Sequence, residues 1–187
     1  MAPPRKHDTD TILDAVRALA LRDGPRAVGV AAIARESGAP VGTLYHRFRS
    51  RDGLVSAAWK RALERFHAVW LEAARDPEPG PAMAVSVIAF ARSNPEDAHL
   101  LLTLRRRDLL DAHGDAPILN TAVHEQIARL AGSDDPRAID RVTRAIVDIP
   151  YAAVRRHRTL PEWLEEDVAA AARALLTGNC PGETPRR

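Results

Sequence analysis

The chain of 187 residues contains one cysteine, Cys180, so neither an internal disulfide framework nor a thiolate metal site is available to it. Aromatic residues make up only 4%. No apolar run reaches the ~18 residues of a membrane-spanning helix, and no charged-then-apolar leader pattern occurs. A soluble, cytoplasmic protein without a membrane partner is therefore expected. Phosphate-cradling loops of the GxxxxGKS, GxxxxGKT or GxGxxG type are missing, as is a GxSxG nucleophile elbow. His124-Glu125 lacks the second histidine of a helical zinc motif, because position 128 is alanine. These absences leave no support for an enzyme, a metal or a cofactor.

What is present is helical. Ala and Leu are abundant and no alternating run rich in Val, Ile and Thr appears, which predicts an all-α chain. Its length suits one small module followed by a helical core of more than a hundred residues. The net charge of +2 hides an asymmetry. Residues 1–51 hold nine Arg and Lys against five Asp and Glu, and the remainder holds 18 against 20. A basic front on a slightly acidic body is the pattern of a nucleic-acid binder whose second part has another task.

The sharpest local signal is VAAIARESGAPVGTLYHRFRSRD, residues 30–52. Val30, Ile33 and Ala34 form one apolar helical face. Gly38 follows where a tight turn needs positive φ, and Val41, Leu44, Tyr45 and Phe48 resume the period. Ala34 is small where two helices would cross, and Leu44 would plug the wedge between them. Leu44 and Tyr45 are adjacent and cannot share a face, so one of them points outward. The remaining face carries Gly42, Thr43, His46 and Arg47, short or polar groups suited to a DNA groove.

With its GxxxxxVxxIAxxxG and VGTLYHRFRSRDGL segments, the chain resembles the DNA-binding domain of the TetR family of bacterial transcriptional repressors over roughly residues 10–60. Gly29 stands where that family usually has Thr or Ser, Pro40 where Ser is frequent, Arg47 for a common His and Arg51 for a frequent Lys. The resemblance implies a nine-helix, all-α architecture. A three-helix helix-turn-helix domain at 1–52, with a disordered arm over about 1–8, would be joined by a long fourth helix to a ligand-binding and dimerisation domain at 53–178. A flexible tail would occupy 179–187. It also implies that Pro40, Val41, Gly42 and Thr43 face base edges, Thr43 bonding a base or a phosphate, that Tyr45 and His46 bond phosphates, that Arg47 reaches a guanine edge or, by preference, a phosphate, and that Arg51 pairs with a phosphate at the start of helix 4.

Helix signals divide the rest. Asp8 or Thr9 can cap helix 1, which Asp23-Gly24-Pro25 stops. Ser50 caps a helix over 51–75, and the proline-rich stretch 76–81 ends it. Further helices are predicted over 82–92, from a cap at Asn94 to about residue 110, over 117–131, from Asp135 to about 157 with a kink at Pro150, and from a Thr159–Glu162 capping box to 176. Arg105, Arg106 and Arg107 with Asp108 and Asp111 read as a solvated face that could turn one arginine toward an acidic ligand.

Two broad apolar bands occupy the last two helices. Family resemblance makes them a four-helix homodimer surface, carried by Ile146, Val154, Trp163, Val168, Ala171 and Leu175. A small-molecule effector pocket would draw on Phe66, Trp70, Phe90 and Tyr151, with His99 and Thr103 as polar groups. The scarcity of aromatics points to a mainly aliphatic lining. The expected function is a ligand-responsive repressor that binds a palindromic double-stranded DNA operator as a homodimer. The alternative is a helical ligand-binding or scaffold protein with a degenerate helix-turn-helix.

Overall fold

The structure, a computed structural model, describes residues 8–104, 116–157 and 159–177, without the side chains of 116–120. The N-terminal arm over 1–7, Arg105, Arg106, Arg107, Asp108, Asp111, Cys180 and the C-terminal tail lie outside the described residues.

The elements run α1 Thr9–Asp23, α2 Val30–Ser37, α3 Val41–Phe48, α4 Arg51–Ala73, α5 Pro79–Ser93, α6 Pro95–Thr103, α7 Ala116–Ala131, α8 Pro136–Thr143, α9 Ile149–Arg156 and α10 Leu164–Thr177. A π turn, Arg144–Asp148, makes α8 and α9 one continuous rod. Among the described residues there are thus nine helical rods and no strand, the all-α architecture expected.

The described residues divide into two compact units, 8–66 with 94–104 and 116–117, and 67–93 with 118–157 and 159–177. The division differs from the expected boundary at 52/53, because the first unit keeps most of α4 and takes in α6. The reason is apolar. Leu100 of α6 and Leu104 just after it complete a core made by Ile12, Val16 and Leu19 of α1, Ile33 of α2, Leu44 of α3 and Leu54 of α4. These side chains recur at helical spacing, so each helix turns one stripe inward. Asp8 is the cap of α1, its Oδ1 accepting the Asp10 N–H at 3.4 Å. Gly24 closes the helix at φ 83°.

In the second unit α5 lies against α9 and α10. It begins at Pro79 and not at Ala82, with the Ala82 N–H reaching the Glu78 carbonyl at 3.1 Å. Pro79 and Pro81 fit a first helical turn because the N–H groups they lack have no intrahelical partner there. Asp135 caps α8 as expected, accepting from the Arg137 and Ala138 amides at 3.3 Å each. Pro150 does disturb its rod. Having no N–H for the preceding turn, it sits just past a widened segment in which the Ile149 N–H bonds the Arg144 carbonyl.

The Thr159–Glu162 capping box does not form. The chain turns instead at Pro161, whose carbonyl accepts the Leu164 N–H at 3.3 Å and an Arg92 guanidinium at 3.0 Å. The last helix therefore begins at Leu164, and Trp163 supplies its first carbonyl acceptor.

Candidate nucleic-acid interface

Gly29 precedes α2 without a side-chain cap, and the Ile33 N–H bonds its carbonyl at 3.0 Å. The chain leaves α2 through Gly38 at φ 70°, the left-handed conformation that glycine adopts without steric penalty. Ser37 Oγ steadies this exit, donating to the Ile33 carbonyl at 2.7 Å and accepting the Ala39 N–H at 3.3 Å. Pro40 then stands at the N-cap of α3, where its carbonyl receives the Thr43 and Leu44 amides at 2.9 and 3.2 Å. A proline fits here because an N-cap N–H has no helical partner to lose.

The two faces of α3 separate cleanly. Leu44 is fully buried and Phe48 half-buried against the core, while Thr43 is half-buried at the margin. Pro40, Val41, Gly42, Tyr45, His46 and Arg47 are exposed. Tyr45 is 52% accessible and Val41 43%, an unusual use of large side chains on an eight-residue helix whose own fold does not need them. At Gly42 a β-carbon would meet no heavy atom within 4 Å, so the backbone itself is open to a close approach.

The flanking arginines behave differently from one another. Arg47 donates to Thr9 Oγ1 at 3.3 Å, linking α3 to the start of α1. Arg51, expected at a phosphate, is half-buried and donates through Nε to the Val28 carbonyl at 2.9 Å and through Nη2 to the Pro25 carbonyl. It also pairs with Asp52. Its guanidinium thus holds the α1–α2 connection to the first turn of α4. Ser50 caps α4 as expected, accepting the Gly53 N–H at 3.0 Å.

Arg49 escaped the sequence reading. It is exposed, closes α3 in the left-handed region at φ 66°, and donates its N–H to the Tyr45 carbonyl at 3.0 Å. Its one sequence signal was a charged residue between Phe48 and Ser50, at the junction of two helical patterns.

The residues considered for an effector pocket divide between the units. Phe66, His99 and Thr103 belong to the first, Trp70, Phe90 and Tyr151 to the second. Trp70 and Phe90 are buried and Phe66 is half-buried, whereas His99, Thr103 and Tyr151 are exposed. Of the residues considered for dimerisation, Ile146 and Val168 are enclosed in the second unit's own core and are unavailable to a partner. Their helices turn those positions inward. Val154, Ala171 and Leu175 are half-buried, and Trp163 is 53% accessible with its ring edge-on to His157 at 5.7 Å.

His67, on α4, is buried, and that desolvation holds its imidazole below the usual histidine range. No group of three or more His, Cys, Asp or Glu side chains among the described residues is placed to hold a metal, and no helix among them is long and apolar enough to cross a membrane.

The chain is similar to several known proteins. Residues 12–58 match the family model described as bacterial regulatory proteins, tetR family. An uncharacterised HTH-type transcriptional regulator of Mycobacterium tuberculosis is 29% identical over 142 residues, covering 74% of this chain and 70% of the relative. Among solved structures, a protein described as a tetR family transcription regulator from Shewanella sp. PV-4 has a TM-score of 0.68 at 20% identity, covering 92% of this chain and 96% of its own. The multidrug binding protein EbrR, complexed with imidazole, has a TM-score of 0.61 at 22% identity, covering 91% and 94%. Residues 12–58 thus match the helix-turn-helix module of bacterial regulatory proteins of the tetR family, and the chain shares its fold with solved TetR-family regulators.

Proposed function

We propose that the protein is a ligand-responsive repressor that binds a palindromic operator as a homodimer and is released by a small-molecule effector. The observation that carries the reading is the exposed face of α3, where Val41, Gly42, Tyr45, His46 and Arg47 lie opposite the buried Leu44. In the major groove, Val41 would meet a thymine methyl, Gly42 would admit the backbone close to the bases, and Thr43 would bond a base or phosphate. Pro40 would enter first, with Tyr45, His46, Arg47 and the exposed Arg49 on phosphates. Arg51 contributes by position, fixing the connection that precedes α2.

One helix-turn-helix makes few contacts, so two heads at half-sites about 34–36 Å apart, or a multiple, supply the affinity. The surface left for a partner is the outer side of the last rods, with Tyr151, Val154, Trp163, Ala171 and Leu175. The effector would sit among apolar groups of the second unit such as Trp70 and Phe90, and would act by shifting α4, to which Trp70 belongs. A coupling of about 1–3 kcal/mol gives a useful response.

A second reading, a helical binding or scaffold protein with a silent helix-turn-helix, is favoured by Gly29 and Pro40, neither of which supplies a side-chain cap. Selection of DNA fragments from a random pool by the wild type and by Tyr45→Ala tests the choice. Enrichment of a two-fold symmetric site by the wild type alone is expected. Enrichment of no site, with steeply salt-dependent binding to any duplex, would sink the repressor reading.

A further inference from the structure

The first turn of α6 carries a carboxylate in an unusual setting. Asp97 is 2% exposed, and its two oxygens are shared between helices. Oδ1 accepts from Arg17 of α1 at 2.5 Å, and Oδ2 accepts from Arg65 of α4 at 3.1 Å. Burial alone would raise the carboxyl, but the two arginine hydrogen bonds outweigh it and hold Asp97 below the ordinary aspartate range. Arg17 turns its other amine to Glu96 at 2.9 Å and Asp14 at 3.3 Å. Arg61 of α4 meets Asp10 and Asp14 of α1 at 2.8 and 2.6 Å.

Such an arrangement is a poor way to gain stability. Two charges removed from water cost about as much as their pairing returns, and apolar replacements are often as stable. What a carboxylate shared between two guanidinium forks does supply is geometry, since each bond has a narrow range of distance and direction. Here the geometry fixes α1 to α4 through a third helix. α1 in turn bears on α2 and, through Thr9 and Arg47, on the end of α3. α6 itself follows α5 after the single residue Asn94.

We propose that Asp97 is a positioning residue for DNA binding: by joining Arg17 and Arg65 it sets the orientation in which α4 presents the reading head. The inference rests on the operator-binding reading given above. Two heads must meet two half-sites at once for specific binding, whereas non-specific binding needs only the basic surface. Loosening the clamp therefore lowers operator affinity and leaves general DNA affinity in place.

The test uses the full chain with Asp97→Asn and, separately, Arg65→Gln, whose side chain is 43% exposed and therefore tolerant of change. Both are titrated on the operator that the wild type selects and on a scrambled duplex of equal length, at a temperature where circular dichroism shows all three proteins folded. Operator affinity is expected to fall about tenfold in Asp97→Asn and less in Arg65→Gln, with scrambled-duplex affinity within about twofold of wild type. Hydrogen exchange without DNA is expected to quicken in Thr9–Asp23 and to stay unchanged in Leu164–Thr177.

An operator-to-scrambled ratio equal to that of the wild type in both variants overturns the inference, as does unchanged exchange in α1. Should Asp97→Asn not fold, Arg65→Gln decides alone. If the wild type selects no operator, the DNA-binding reading fails and this inference with it. An operator bound equally by all three proteins removes only the inference.

Discussion

A β-carbon on Gly53 would stand 2.1 Å from the carbonyl oxygen of Phe48, the last residue of α3. That oxygen is backbone and cannot rotate aside, so the junction between α3 and α4 closes only over a glycine. Gly53→Ala is expected to destabilise the protein by about 1–3 kcal/mol, the usual cost of overpacking. Thermal melts of the two proteins check this, and an unchanged midpoint would show that the junction has slack.

Gly42 presents the opposite case, because the space around it is open. A methyl there removes the backbone entropy that glycine loses in a helix, so Gly42→Ala is expected to stabilise the free protein by roughly 0.5–1 kcal/mol. If α3 enters the major groove, the same methyl obstructs the approach and operator affinity falls. Opposite signs in melting and DNA titration are the expected pair of results. A variant that gained both stability and affinity would remove Gly42 from the interface.

The contrast between these glycines marks the limit of what the sequence discloses. Gly38, Leu44 and Phe48 declared their roles because a turn and a helical period are local patterns. Gly53 did not, since the atom it must avoid belongs to the preceding helix. Likewise, the apolar band through Ile146 and Val168 was legible as a band, but periodicity does not say whether the covering surface comes from the same chain. Asp97 lies 80 residues from Arg17, so nothing in its neighbourhood marked it as buried or paired. The Arg51 contacts end on backbone carbonyls, which every residue possesses and no side-chain pattern reveals.

Arg51 and Arg47 offer a comparison between two basic residues one helical turn apart in sequence. Arg51 spans two carbonyls, those of Val28 and Pro25, with different nitrogens of one planar fork. A lysine presents its donors from a single point and cannot reach both in the same way. Arg51→Lys is expected to lower stability by about 1 kcal/mol, on the scale of one net hydrogen bond. Arg47→Lys, on an exposed side chain, is expected to change stability by less than about 0.5 kcal/mol and to show its effect in DNA affinity. Chemical denaturation of both variants decides, and equal stability losses would contradict the distinct positions assigned to them.

His67 makes stability depend on pH in a predictable direction. Its burial lowers the folded pKa from the ordinary value of 6.5. Above that value the imidazole is neutral in folded and unfolded chains alike and contributes no pH dependence. Below it, the unfolded chain binds a proton that the folded chain resists, so stability falls as the pH drops through about 6.5 toward the depressed folded pKa. The carboxyl of Asp97 acts in a separate window. Its depressed pKa contributes stability that is present above the ordinary 3.8 and is lost only as the pH falls through the lower folded value. Melting between about pH 7.5 and 5 therefore keeps the Asp97 window out of the comparison. The midpoint of the wild type is expected to drop across this range and that of His67→Gln to drop less. Parallel pH profiles for the two proteins would mean that protonation of His67 is not opposed by its burial.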